Sequence, residues 1–174
     1  MTDVPSQVES GAATSRTGAG HDKGPRTELI SFAIGDEQYG VDIMAVREIK
    51  GWSDITHLPR QPDYVRGVLN LRGVMVPIID LRSRLGGGLT DATALHVVII
   101  VQVQDRQVGL LADRVLDIVA FEASQVQPVP RVARSGGADC LSGLVNAEAG
   151  MIALMDLQQL LSVHAEDAVA QAAA

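Results

Sequence analysis

Apolar residues in this chain come in short runs separated by turn-forming residues, the spacing of strands rather than of long helices. Residues 28-ELISFAIGDEQYGVDI-43 predict a hairpin: Leu29–Ile34, a turn over Gly35-Asp36-Glu37, then Gln38–Ile43. Residues 95-LHVVIIVQVQDRQVGLLAD-113 repeat that design, with Gln104-Asp105-Arg106 at the turn. Pro59 and Pro62 punctuate the first half, Pro128 and Pro130 the second, and Gly86-Gly87-Gly88 separates the halves. Residues 1–26 are rich in Ser, Gly, Thr and Ala and cannot bury enough apolar surface to offset chain entropy, so they predict a disordered leader. Residues 163–174 predict a flexible tail or a helix extension. The ordered part is expected over 27–162, as two β-rich subdomains of roughly 27–90 and 91–162, with exchange of a strand or helix between them left open.

The two halves repeat each other. With Gly40 laid on Gly109, an offset of 69 positions, Asp36 falls on Asp105, Gln38 on Gln107, Val46 on Val115, Glu48 on Asp117 and Ile49 on Ile118. With 67-GVLNLRGVMVPIIDL-81 laid on 143-GLVNAEAGMIALMDL-157, an offset of 76, Gly67, Asn70, Met75, Asp80 and Leu81 meet Gly143, Asn146, Met151, Asp156 and Leu157. Asp80 and Asp156 each follow an apolar run and precede a leucine-spaced segment, which predicts a helix N-cap at both. The last element, from Asp156 to about His164, predicts a short amphipathic helix using Leu157, Leu160 and Leu161. In 70-NLRGVMVPIIDLR-82, Arg72 and Gly73 fall at a hairpin corner, where a glycine can supply positive φ. The counterpart of Arg72 is Glu148, so an arginine is not needed merely to form the hairpin.

Composition narrows the function. Aromatic residues are 3% of the chain, so the core must be aliphatic and base-stacking platforms are scarce. A net charge of −7 argues against general nucleic-acid binding and against adhesion to anionic lipid. A single cysteine, Cys140, forms no intramolecular disulfide and suits a reducing, cytosolic setting. No secretion signal is expected in residues 1–26, and runs such as Val97–Val101 are far below the roughly 20 residues of a membrane span.

Chemistry-bearing residues form no catalytic pattern. His21, His57, His96 and His164 have no metal-ligand spacing, and His96 reads as a strand residue with a satisfied ring. Cys140 reads as a small core filler, and the triple glycine, followed by no Lys-Ser/Thr, as a turn. No catalytic residue, metal or cofactor is expected. What remains is a surface for partners, with the seam between the two units as the natural concave site.

The segments 39-YGVDIMAVREIKG-51 and 70-NLRGVMVPIIDLR-82 resemble the chemotaxis coupling-protein family, the CheW-like domains. The likeness extends through 98-VIIVQVQDRQVGLLADRVLDIV-119 and 141-LSGLVNAEAGMIALMDLQQLL-161. It implies two SH3-like five-stranded β-barrels related by a pseudo-twofold, with short helices at the joints and C-terminus. It also implies a non-catalytic cytoplasmic adaptor, recruited to membrane receptor arrays, that couples chemoreceptors to a sensor histidine kinase. The partners it implies are the hairpin tip of the receptor's cytoplasmic region, a kinase regulatory domain of the same fold, and other copies of the adaptor in rings. Neither nucleic acid nor direct membrane insertion is implied. Carried over to this sequence, the receptor groove comprises Val46, Glu48, Gly67, Arg72, Gly73, Val97, Val115 and Ile118, with Glu48 and Arg72 expected to form an ion pair at its mouth. Val97, Val115 and Ile118 face either the groove or the barrel core, and no kinase-binding residue is assigned. Pro77 is expected on an edge strand or at a bulge. The alternative is a small β-barrel enzyme or small-ligand-binding protein, which turnover or a saturable small-molecule signal would reveal.

Overall fold

The structure is a computed structural model that describes residues 24–130 and 137–162. Of the leader expected over residues 1–26, residues 1–23 lie outside the described residues, while Arg26 already begins the first strand, paired with Glu122; the tail expectation for 163–174 lies outside the described residues. Eleven strands follow in chain order: β1 (Arg26–Ile34), β2 (Glu37–Asp42), β3 (Val46–Gly51), β4 (Val65–Leu71), β5 (Val74–Asp80), β6 (Val97–Val103), β7 (Arg106–Ala112), β8 (Arg114–Glu122), β9 (Val126–Gln127), β10 (Leu141–Ala147) and β11 (Gly150–Met155). A single helical turn, α1 (Leu81–Arg84), follows β5, and residues 157–162 are helical after β11. The protein is mainly β and comprises two SH3-like subdomains.

One sheet has the order β8-β1-β2-β11-β10-β9 and the other β3-β6-β7-β5-β4. The repeat maps β3 onto β8, β4 onto β10, β5 onto β11, and the hairpin β1–β2 onto β6–β7, so both sheets have one plan. The register agrees as well. Leu154 pairs with Gly40 in parallel as Ile78 pairs with Gly109, and the bulge between Ser31 and Phe32 repeats the one between Val46 and Glu48 on the partner strand. The sheets do not divide at residue 90. The hairpin β1–β2 lies between β8 and β11 of the second half, and β6–β7 lies between β3 and β5 of the first.

Alternation along the exchanged hairpins puts one face of each sheet against the other. Phe32, Ile34 and Tyr39 from the first sheet meet Ile99, Val101, Val108 and Leu110 from the second in one central core. Leu81 and Leu160, from the two helical segments, enter the same core fully buried. Cys140 is buried there too, as a filler whose thiol donates to the Gly137 carbonyl at 2.9 Å. A second core, of Leu71, Val76, Ile78, Val98, Ile100 and Leu111, fills the inside of the β3–β7 barrel.

Pro77 corrects the sequence expectation. Its strand, β5, is internal, between β7 and β4. The proline is tolerated because its partner Val68 directs both backbone groups away, to Thr56, and the parallel ladder to β7 begins one residue later, at Ile78. No ladder hydrogen bond needs the missing N–H.

Both helix caps form as expected. Asp156 Oδ1 accepts from the Gln158 and Gln159 amides, each at 3.0 Å. Asp80 does more, because it is wholly buried. Its carboxylate accepts from the Ser83 amide at 3.3 Å, from the Thr90 amide and hydroxyl, both at 2.7 Å, and from Arg66 Nη1 at 3.1 Å. It thereby ties β4, α1 and the loop after the glycines into one network. Removing it would leave buried donors and a half-buried cation unmatched, a loss of about 3 kcal/mol or more. The solvent-facing cap at Asp156 is worth about 1 kcal/mol. In thermal or urea unfolding, Asp80→Ala is therefore expected to be far more destabilising than Asp156→Ala.

Asp113, between β7 and β8, clamps the two sheets. Arg82 Nη2 donates to its two oxygens at 2.9 and 2.7 Å, the Gly35 amide from the β1–β2 turn donates at 2.7 Å, and His96 Nε2 lies at 3.6 Å. The other ring nitrogen of His96, Nδ1, accepts from the Thr93 amide at 3.0 Å. His96 stands just before β6, not within it. Burial alone would raise the Asp113 carboxyl, but the Gly35 amide, the Arg82 guanidinium and His96 outweigh it and hold the group below the usual carboxylate range. A depressed carboxyl stabilises the fold above its unfolded value of about 4 and loses that contribution as pH falls through the folded value. Wild type should therefore exceed Asp113→Asn in stability at neutral pH, and the gap should close as acid unfolding is followed below about pH 4. A gap independent of pH would contradict this origin.

Candidate partner-binding surface

The β4–β5 hairpin turns through Arg72 and Gly73, with φ of 53° and 86°. Two consecutive positive φ values make the turn whose twist matches a hairpin. Asn70 stabilises it, its Oδ1 accepting from the Gly73 amide at 2.9 Å. An arginine in the left-handed region is uncommon. Here it projects the guanidinium away from the sheet, 77% exposed, onto the carboxylate of Glu48 in β3 at 3.1 Å. The expected pair thus forms, and it draws one edge strand of the barrel against the hairpin at the other edge.

The other predicted residues divide between the two sheets. Val46 on β3, Val97 on β6 and Val115 on β8 are half-buried and pack against the central core. Ile118 on β8 is 55% exposed. Gly67 is a backbone requirement rather than a contact surface. It is buried at a bulge with φ of 143°, and a Cβ there would lie 2.2 Å from the Thr56 carbonyl oxygen.

The expected concavity at the seam is small, because the central core fills most of the space between the sheets. A hollow of about 460 Å³ remains at one end, with Asp42, Gln102, Ser142 and Asp156 in its lining. A larger groove, of about 740 Å³, opens within the other barrel between β8 and the β10–β11 turn. Val115 and Ile118 line it, together with Ser31, Asp117, Ala147 and Glu148. That groove lies within one barrel, away from the expected seam. Its signal was the replacement of Ile100 by Ser31 and of Leu71 by Ala147 across the repeat. No cluster of three or more potential metal ligands occurs among the described residues.

Paired β-barrels with charged corners and an open groove define a binding module. The CheW-like domain family matches residues 28–165. The "Probable chemotaxis protein CheW" of Rhizobium etli is 44% identical over 135 residues, covering 78% of this chain and 87% of that protein. The chemotaxis protein CheW of Rhizobium meliloti is 42% identical over 141 residues, covering 81% and 91%. The crystal structure of a scaffolding protein, TtCheW from Thermoanaerobacter tengcongensis, superposes with a TM-score of 0.69 at 28% identity, over 75% of this chain and 89% of that one. The chain belongs to the CheW-like domain family. It is a non-catalytic adaptor of chemotaxis signalling that couples receptors to a kinase.

Exposed ion pairs contribute about 1 kcal/mol at most to folding. A double-mutant cycle of Glu48→Ala and Arg72→Ala, read by urea unfolding, is therefore expected to give a coupling energy at or below that size. Gly67→Ala should be the most destabilising change among the predicted site residues, since it meets backbone and a forbidden φ together.

Proposed function

We propose that this adaptor holds the cytoplasmic hairpin tip of chemoreceptors through the corner formed by Glu48 and Arg72, and binds the regulatory domain of a chemotaxis histidine kinase elsewhere on the barrels. Glu48, Arg72 and Ile118 make the contacts in this reading. Gly73 holds Arg72 in its turn, Val46, Val97 and Val115 support the strands from the core side, and Gly67 sets the path of β4. The single observation that carries it is the pair at 3.1 Å on an otherwise exposed turn. An ion pair worth so little to folding is free to serve orientation and partner choice. Family membership and the scaffolding role of the structural neighbour support it. Among the described residues no helix is long and apolar enough to cross a membrane, so recruitment to membrane arrays would come through bound receptors from the cytoplasm. Other copies of the adaptor are further candidates for neighbours in such an array.

Co-sedimentation with receptor-bearing membranes and kinase tests the proposal. Arg72→Glu and Glu48→Arg are each expected to reduce receptor-dependent sedimentation at least tenfold without moving the unfolding midpoint appreciably. The double exchange should recover part of the loss. Unchanged sedimentation in both single variants would rule the corner out.

A further inference from the structure

The two barrels share one plan but differ in how the interior beside the corner is filled. In the β3–β7 barrel, Leu71, Val76 and Ile100 form a closed cluster with Trp52 packed against it, and Arg72 closes the corner onto Glu48. In the other barrel the repeat puts Ala147 where Leu71 would be, Ser31 where Ile100 would be, Glu148 for Arg72 and Asp117 for Glu48. The first two changes remove bulk and the third removes the cation. The result is the groove of about 740 Å³, with Leu116 and Ile118 exposed at its rim by 39% and 55%.

The two carboxylates have no cationic partner among the described residues. Asp117 Oδ1 accepts only the Ile118 amide, at 2.7 Å, and Glu148, exposed in its turn, makes no hydrogen bond or ion pair there. Ser31 leaves the space open because its hydroxyl is spent on the bulge, donating to the Asp117 carbonyl at 2.9 Å and accepting its amide at 3.1 Å.

We infer that this groove docks a protein segment presenting a bulky apolar side chain beside an arginine or lysine. The apolar group enters the space that Leu71 and Ile100 fill in the other barrel, and the cation bridges Asp117 and Glu148. The first barrel is the template for the missing occupant: it carries the same apolar-basic combination, Leu71-Arg72, in its own chain. A buried apolar anchor supplies affinity, while two like charges at the mouth favour a basic neighbour and repel an acidic one. The inference goes beyond the proposed function: it shares only Ile118 with that reading and involves neither the Glu48–Arg72 corner of this chain nor the identity of receptor or kinase.

The probe is a cyclised hairpin peptide with the sequence of Leu69–Val76, and a twin with glutamate in place of its arginine. Each is titrated into the full-length ¹⁵N-labelled protein. The arginine peptide is expected to shift the Leu116, Ile118 and Ala147 amides saturably, and to bind at least tenfold more tightly than its twin. Asp117→Lys/Glu148→Lys, two surface changes, should weaken it at least tenfold. Ala147→Leu/Glu148→Arg, which restores the occupant within the chain, should block it without lowering the unfolding midpoint; if that variant misfolds, the double lysine variant alone decides. Absence of saturable shifts in the groove, equal binding of both peptides, or undiminished binding to the double lysine variant each overturns the inference. Self-association of the protein alone that disappears in Arg72→Glu would make the occupant a second copy, and would overturn the assignment to a foreign segment. Any of these failures leaves receptor co-sedimentation through Arg72 standing, so the two readings fail separately.

Discussion

Neither barrel can be completed by its own half of the chain. The parallel pairing of β2 with β11 and of β7 with β5 places each exchanged hairpin inside the opposite sheet. Removing β1–β2 would strip β8 of its neighbour and uncover β11, and the same holds for β6–β7 in the other sheet. The exchanged hairpins also carry most of the side chains that fill the core between the sheets. Closing that core therefore closes both barrels, and the relative position of the two charged corners follows from it. An adaptor that must hold partners in fixed geometry gains from a body with no hinge between its binding surfaces.

Against that shared frame, the two corners differ. Backbone plan, register and bulges coincide, so the differences lie in side chains at matched positions. One corner supplies both charges of its ion pair over a filled interior. The other has two carboxylates over an open groove. Duplication fixes the scaffold, and in the reading proposed above it leaves each mouth free to take a different partner. These surface differences are what the shared fold by itself does not disclose.

Much of this was legible in the sequence because repetition exposes constraint. The glycines on which the halves align, Gly40 and Gly109, have a physical reason: an added Cβ would lie 2.9 Å from Leu29 Cδ1 in one case and 2.4 Å from Ile78 Cδ1 in the other. The aspartates that begin both helical segments and the arginine at its corner were readable on the same grounds. Four things were not. Hairpin exchange leaves no local trace, since β1 has the same alternation whichever sheet receives it. The placement of Pro77 depends on where Val68 sends its backbone groups, which a strand pattern does not encode. The open groove arises from missing bulk at Ser31 and Ala147, residues distant in sequence that meet only when β1 and β10 enter one sheet. Asp113 was invisible for the same reason, because its partners Gly35, Arg82 and His96 come from three separate segments.

The reciprocal hairpins make the two barrels one cooperative body. Native-state hydrogen exchange under increasing denaturant tests it most directly, by comparing amides of β1, β2, β10 and β11 with those of β4, β5, β6 and β7. The slowest amides of both sets should converge on one opening free energy, equal to that of global unfolding. A barrel whose amides all open at a clearly lower free energy, while the other stays protected, would contradict it.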